Sequence, residues 1–594
     1  MLHDPDHPRS GSRRPPVVER IFVTHDGTTL FYRFWPAAAE RPRGAVLLFH
    51  RGHEHGGRIA HLVDELAMPD HAFYAWDARG HGRSPGERGA SPSFAHSVRD
   101  VDAFVREIAA RDGIQVEDMA IVAQSVGAVL VATWVHDYAP KIRAMVLASP
   151  AFSVRLYVPF ARPGIALWQR LRGRFFVNSY VKARFLTHDP ERIASFEADP
   201  LITRPIASNI LLDLYETADR VVADARAITV PTQLLISGAD WVVRHRPQHE
   251  FFVNLGSSAK ERHVLPGFFH DTLGERDRDK AVSLARVFLA TRFANPEPRP
   301  DLTAADRSGY TRDEADRLAT PLSPLSTKGF YWAANRAAIK LGGLLSTGMA
   351  IGVRTGFDSG STLDYVYENQ PRGVGPVGRA VDRLFLDAIG WRGIRQRKLH
   401  LQELIAQAAA KVREAGRPLH IVDIAAGHGR YVLDAISSLP EPPASVRLRD
   451  YSGINVAEGR AMIAARGLGG TVRFDEADAF DEASLAALDP APDVAIVSGL
   501  YELFPDNTLI RRSLAGLAAA MKPGAMLVYT NQPWHPQLEM IARSLTSHRG
   551  GQAWVMRRRT QAEMDQLVEA AGFEKLDQRI DCWGIFTVSL ARRV

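Results

Sequence analysis

Two separate strand–helix alternations run along this chain, and their strands read as continuous apolar runs rather than alternating ones. A strand apolar on both faces must lie inside a sheet covered on both sides, which is the parallel, helix-flanked arrangement. The first alternation passes through Ala45-Val46-Leu47-Leu48-Phe49, Ala72 to Trp76, Met119 to Ala123, Met145 to Ala148 and Gln233 to Ile236. An aromatic-rich helical pattern over about 151–230 interrupts it, as an inserted lid would, and the rhythm ends near residue 290. The second begins at Leu419-His420-Ile421-Val422-Asp423 and continues through Val446, Val472, Asp493 and Met526. At 594 residues the chain exceeds the ~250–300 residues at which one core stops growing. Two α/β domains are therefore expected: 20–294 and 411–594, the second preceded by a helical leader over 329–410. Residues 1–19 read as a disordered N-terminus. The stretch 295–328, with Pro296, Pro298, Pro300, Pro321 and Pro324, reads as a linker.

One cysteine, Cys582, excludes an internal disulfide framework, a thiolate zinc site and an iron–sulfur cluster, and points to a reducing, cytoplasmic compartment. The net charge of +6 comes from 73 Lys and Arg against 67 Asp and Glu, and only ten of the cations are Lys. The run Arg557-Arg558-Arg559 reads as a solvated face, and no nucleic-acid partner is expected. Arg9, Arg13 and Arg14 are followed by no apolar stretch, so no secretory signal is read. The run Leu341 to Val353 is too short and Gly-rich to span a bilayer and reads as a buried or interfacial segment.

The strand ending at Ala123 runs into Gln124-Ser125-Val126-Gly127 and then a helical pattern. A serine on a sharp strand-to-helix turn exposes its hydroxyl above the sheet, the nucleophile elbow of α/β-hydrolases, with Ala123 in place of the usual first glycine. Asp240 follows the strand ending at Ile236, and His270 follows that of Val264 and Leu265, in the order Ser, acid, His. Upstream, His50-Arg51-Gly52-His53-Glu54-His55-Gly56-Gly57-Arg58 and Asp77-Ala78-Arg79-Gly80-His81-Gly82-Arg83-Ser84-Pro85-Gly86 follow two strands. These segments, with Thr187-His188-Asp189-Pro190 and Asp199-Pro200-Leu201, resemble the monoacylglycerol lipase and lysophospholipase-like serine hydrolases over residues 20–290. The resemblance implies a triad of Ser125, Asp240 and His270, and oxyanion amides from Gly52 and Val126. Arg51 stands where those hydrolases have glycine, a departure that suggests an anionic acyl substrate. His50, His53, His55 and His61 lie in a Gly-rich loop rather than on a helix, so no metal is expected.

In the second alternation Asp423-Ile424-Ala425-Ala426-Gly427-His428-Gly429 ends a strand and opens a helix. A dinucleotide fingerprint would need Gly or Ala where Val432 stands. The pattern is instead similar to motif I of class I S-adenosylmethionine-dependent methyltransferases, which implies Asp423, Ala425, Gly427 and Gly429 at the cofactor. Asp450, at the next strand end, suits the ribose hydroxyls, and Asp478-Ala479 resembles the adenine-reading segment. Tyr501, Glu502 and His535 lie at later strand ends and are candidates for handling the methyl acceptor. Asp358 to Asn369 and Ile389 to Arg395, dense in aromatics and charge, look like the leader of bacterial methyltransferases fused behind such hydrolases.

The fold class expected is an α/β-hydrolase with a helical lid, followed by a Rossmann-like class I methyltransferase with a helical leader. The function expected is bifunctional: hydrolysis of a lipid-like or other small ester, and S-adenosylmethionine-dependent methylation of an unassigned acceptor. One alternative is a degenerate hydrolase domain that docks a substrate, motivated by Ala123, Ala128 and the displaced loop glycine. Another is peripheral membrane contact through 341–353 and the aromatic lid. The sequence leaves the oligomeric state open.

Overall fold

The computed structural model describes residues 14–178 and 181–594. The chain divides into two compact units, Met1–Pro300 and Asp301–Val594. No helix among the described residues is long and apolar enough to cross a membrane.

The first unit is built on eight strands: β1 (Val18–Val23), β2 (Thr29–Trp35), β3 (Ala45–Phe49), β4 (Ala72–Trp76), β5 (Met119–Gln124), β6 (Ala144–Ala148), β7 (Thr232–Ser237) and β8 (Lys260–Leu265). Their order is β1-β2-β4-β3-β5-β6-β7-β8, with the six strands from β4 onward parallel. Strands β3 to β6 are buried along their whole length, and each such Val, Leu or Phe contributes about 1.5–3 kcal/mol. The two antiparallel strands at one edge were not anticipated. Part of the expected N-terminal disorder is corrected with them: Val18 and Glu19 already pair with Phe34 and Arg33, while residues 1–13 lie outside the described residues. Over 151–230, helices Ala161–Arg172, Pro190–Ala198 and Ser208–Ala223 and the short pair Phe176–Asn178 and Pro205–Ala207 interrupt the sheet rhythm.

The second unit carries β9 (His420–Asp423), β10 (Ser445–Asp450), β11 (Val472–Glu476), β12 (Val494–Val497), β13 (Met526–Asn531), β14 (Phe573–Ile580) and β15 (Thr587–Arg593). The order is β11-β10-β9-β12-β13-β15-β14, parallel through β13 and closed by antiparallel β15 and β14. The order reverses between β9 and β12, and open α/β sheets bind ligands at that point. Helix Ile389–Glu414 lays Leu401, Leu404, Ile405, Ala408 and Val412 on this sheet. The expected boundary at 410 therefore falls inside a helix that belongs to the core.

Two further readings are corrected. The stretch 295–328 is not wholly a linker: helix Tyr310–Ala319, free of proline, lies within it, and the Asp306 carboxylate accepts from the Asn507 amide at 2.9 Å. Nor is Arg557-Arg558-Arg559 a solvated face, because all three side chains are buried. Arg557 donates to Glu563, Asn507 and the Pro505 carbonyl, Arg558 to Glu314 and the Pro533 carbonyl, and Arg559 to the Tyr501 and Phe504 carbonyls. Loop carbonyls that no helix or strand satisfies need such donors. The run 341–353 is divided: Leu341, Leu344 and Val353 are exposed, while Ser346, Gly348 and Gly352 are buried.

Candidate active sites

Ser125 sits between β5 and helix Val126–Tyr138 with φ +56°. A left-handed non-glycine residue costs about 1–3 kcal/mol. Its own backbone holds it there: its N–H donates to the Ala148 carbonyl and its carbonyl accepts from the Ala151 amide. The turn needs Gly127, because a Cβ there would stand 2.4 Å from the His50 carbonyl oxygen. Ser125 Oγ lies 2.7 Å from His270 Nε2, and His270 Nδ1 lies 2.8 Å from Asp240 Oδ2. Burial pushes the Asp240 carboxyl up, but His270 and the amides of Val243 and Val242 outweigh it and hold it below its ordinary value. An anionic Asp240 keeps the proton on Nδ1, leaving Nε2 free to accept the serine proton.

Val126 is the first residue of its helix, where amides have no intrahelical partner. A Cβ on Gly52 would meet Val126 Cγ2 at 3.0 Å, so the two expected oxyanion residues stand side by side beside Ser125. A cavity of about 530 Å³ opens on Ser125 and His270, walled by apolar side chains such as Leu130, Ile165, Leu211 and Leu214. Arg51 departs from its expected role toward an anionic substrate. Its guanidinium is buried and paired with Glu54, with Asp271 3.5 Å away. Arg192 of the lid also holds Asp271, at 2.8 Å, and Gln124 donates to the His270 carbonyl. Arg51 thus steadies the loop that carries His270. The loop imidazoles also have partners within the unit: the Arg51 carbonyl for His50, the Thr203 carbonyl for His53, Asp199 for His55 and the Leu273 carbonyl for His61.

In the second unit the turn after β9 uses Gly427 and Gly429 at positive φ, and a Cβ on Gly429 would stand 2.5 Å from Leu448. Asp423 is fully buried and accepts from Tyr431 and from the Ala425 amide. Burial raises its pKa to about 7. Asp450 accepts from the amides of Gly427 and Ser452 and from Asn455, and burial raises it as well. A carboxylate offers about four acceptor positions, so these three bonds fix Asp450 and leave capacity for a ligand hydroxyl. Asp478 is exposed and accepts from the Phe480 amide, beside buried Ala479. Ser498, directly after β12, keeps a buried hydroxyl with no partner among the described residues. Left-handed glycines at a helix start, a free carboxylate position and a spare hydroxyl fit a nucleoside-bearing cofactor such as S-adenosylmethionine.

The leader covers this turn. Gly360 Cα lies 3.6 Å from where a Cβ on Gly427 would stand, and Asp364 pairs with Arg430. A chamber of about 350 Å³ is lined by Phe357 and Asp358 of the leader and by Gly499, among others. Glu502 and His535 both line this chamber. Tyr501 does not: its hydroxyl bonds to Ser513 inside the core, and burial drives its pKa upward. Tyr501, expected to handle the methyl acceptor, is instead a core residue. Sequence reasoning missed Arg397 and Gln532, which also line the chamber. Gln532 lies three residues before His535, and Arg397 two residues past the aromatic and charged stretch Ile389 to Arg395.

Comparison with known proteins sets these sites in context. A family model described as "Putative methyltransferase" matches residues 285–593, and one described as "Serine aminopeptidase, S33" matches residues 40–277. The chain is 59% identical over 97% of its length to the uncharacterized protein YnbC of Escherichia coli K12, covering 98% of that protein. It is 26% identical to the monoacylglycerol lipase of Mycolicibacterium smegmatis over 44% of this chain and 92% of the lipase. Among solved structures, the Paleococcus ferrophilus monoacylglycerol lipase is 22% identical with a TM-score of 0.41, covering 44% of this chain and 99% of that one.

Proposed function

The chain belongs to the family described as "Putative methyltransferase", with a hydrolase domain of monoglyceride-lipase type ahead of the methyltransferase domain, and from that premise we propose that both domains are catalytic. The first is a serine ester hydrolase acting on lipid-like acyl esters. Ser125 Oγ attacks the acyl carbonyl as its proton passes to His270 Nε2, and the amides of Gly52 and Val126 hold the oxyanion. His270 then protonates the leaving alcohol, and water releases the acyl group from Ser125 by the same route. The complete Ser125–His270–Asp240 geometry carries this reading and favours it over a docking role. The apolar cavity at Ser125 supports a fatty acyl substrate. Labelling of the wild-type chain by a fluorophosphonate probe, lost in Ser125→Ala, tests it; an unlabelled wild type would return the domain to a docking role.

The second domain uses S-adenosylmethionine, which when bound supplies a methyl group on a sulfonium. Gly427, Gly429, Asp450 and Ser498 would hold it, and positioning does most of the work in such a displacement. Glu502 Oε2, the carboxylate oxygen without a partner at the chamber, takes the acceptor's proton. Burial alone holds His535 neutral, with a pKa of about 4. Its Nδ1 accepts from the Gln537 amide, so its proton sits on Nε2 and it donates rather than acts as the base. Calorimetry with S-adenosylmethionine tests the cofactor; undetectable binding, or binding unchanged in Asp450→Ala, would refute it. Peripheral membrane contact is part of the same proposal. Phe330, Tyr331, Leu341 and Leu344 are exposed, and the stretch 325–357 carries Lys328, Arg336, Lys340 and Arg354 with no acidic residue.

A further inference from the structure

The chamber lined by Asp358 and Gly499 has two kinds of wall. Trp391, Trp554, Phe357, Phe385, Met556 and Ile541 make most of it apolar. At the carboxyl ends of β12 and β13 stand Arg397, Glu502, Gln532 and His535, each more than nine-tenths buried. Burying a polar atom without a partner costs ~1–3 kcal/mol, and more for a charged group. Three of these residues nevertheless keep one: Arg397 Nε, Glu502 Oε2 and Gln532 Nε2 have no partner among the described residues. The remaining atoms of Glu502 and Arg397 are engaged. Thr530 donates to Glu502 Oε1 at 2.8 Å, Arg397 Nη1 lies 3.6 Å from the same oxygen, and the Arg397 guanidinium rests over the Phe586 ring. The fourth residue, His535, presents Nε2 to the wall at Gly390, 3.0 Å from where a Cβ there would stand.

The open positions are therefore one acceptor on an anionic carboxylate and donors on an amide, a guanidinium and a neutral imidazole. We propose that this chamber binds an amphiphile whose apolar body fills the aromatic wall and whose head is a neutral hydroxyl, an alcohol or a phenol. A hydroxyl both donates and accepts, so it can satisfy Glu502 Oε2 and a donor from Gln532 or His535 at once. A carboxylate head would face Glu502 with like charge. An ammonium head, which has no acceptor, could bond Glu502 Oε2 but none of the three donors. An ether keeps the body and accepts, but leaves Glu502 Oε2 bare. This deepens the methyltransferase reading by naming the acceptor class, and as a binding claim it stands or falls apart from that reading.

The test uses the full chain and four probes that differ only in the head: 4-hexylphenol, 4-hexylanisole, 4-hexylbenzoate and 4-hexylbenzylamine. Calorimetry should show the phenol binding about 10- to 100-fold more tightly than the anisole, the range for a hydrogen bond to a charged group, with benzoate and benzylamine weaker than the phenol. Glu502→Gln should remove that preference while leaving anisole binding within about threefold. Gly390→Leu, which fills the space before His535, should abolish the chamber's share of binding to every probe. Should Glu502→Gln fail to fold, Gln532→Leu serves in its place, with phenol weakened more than anisole. Equal affinity for phenol and anisole in the wild type, or binding of both unaffected by Gly390→Leu, overturns the proposal. A separate titration with S-adenosylhomocysteine reports on the cofactor alone, so a failure of that reading is distinguishable from a failure of this one.

Discussion

Replacing Arg557 with Met is the most discriminating perturbation of the fold, because the buried and the solvated readings of that residue predict different outcomes. Its side chain is fully buried, and its guanidinium serves the Glu563 carboxylate, Asn507, Thr311 and the Pro505 carbonyl. Methionine fills much of the same volume but leaves Glu563 as a buried anion, with Arg559 3.9 Å away as its nearest remaining cation. Breaking a buried pair by removing one partner costs about 3–5 kcal/mol. The second unit holds roughly 290 residues, and at about 2.1 cal/mol/K per residue its unfolding entropy is on the order of 0.6 kcal/mol/K. The expected fall in its melting temperature is then about 5–8 °C. Scanning calorimetry of the full chain measures it, with fluorophosphonate labelling of Ser125 reporting that the first unit remains folded. Arg592→Met, at a half-exposed Arg paired with exposed Glu574, is the comparison and should stay within about ±0.5 kcal/mol. A shift below about 1 °C for Arg557→Met would refute the buried network.

Asp240→Asn should keep the fold but lower ester hydrolysis by about 10⁴-fold, because the amide no longer fixes the His270 tautomer; a loss below tenfold in steady-state rates would contradict the triad. Gly127→Ala should destabilise the first unit, since its Cβ would meet the His50 carbonyl at 2.4 Å; an unchanged melting temperature would count against the elbow geometry. Burial pushes the Asp423 carboxyl up to about 7 in the folded chain from 3.8 for a free aspartate, so the native state holds its proton more tightly. Its contribution is therefore present below about pH 4 and lost as pH rises toward 7, by up to about 4 kcal/mol at 1.36 kcal/mol per unit. Asp423→Asn should remove that part of the slope in denaturant melts across pH 4–7, and an unaltered slope would sink the assignment. Full-length protein should co-sediment with phosphatidylglycerol vesicles, less so in high salt, and Phe330→Ser with Tyr331→Ser should weaken it; failure to sediment would remove the membrane contact.

The readable part of this protein was local. The turn at Ser125 and the glycine turn at Gly427 are set by residues adjacent in sequence, because a strand must reverse into a helix within a few backbone dihedrals. Residue type and order therefore pointed to Ser125, Asp240, His270 and Asp450, and the likeness to motif I pointed to Asp423. What could not be read depends on groups brought together from far along the chain. Arg557 to Arg559 look like a charged surface until carbonyls from 501–505 and the carboxylates of Glu314 and Glu563 arrive around them. Arg51 looked poised for a substrate until Asp271, 220 positions away, met it beside the catalytic histidine. Tyr501 and Glu502 are neighbours with equal claims in sequence. Packing alone turned the tyrosine into the core and left the glutamate lining an apolar chamber with one oxygen unpartnered. Local backbone geometry is written in short runs of residue types, whereas the partner a charge finds, and so whether it supports the fold or awaits a ligand, is decided by tertiary contacts.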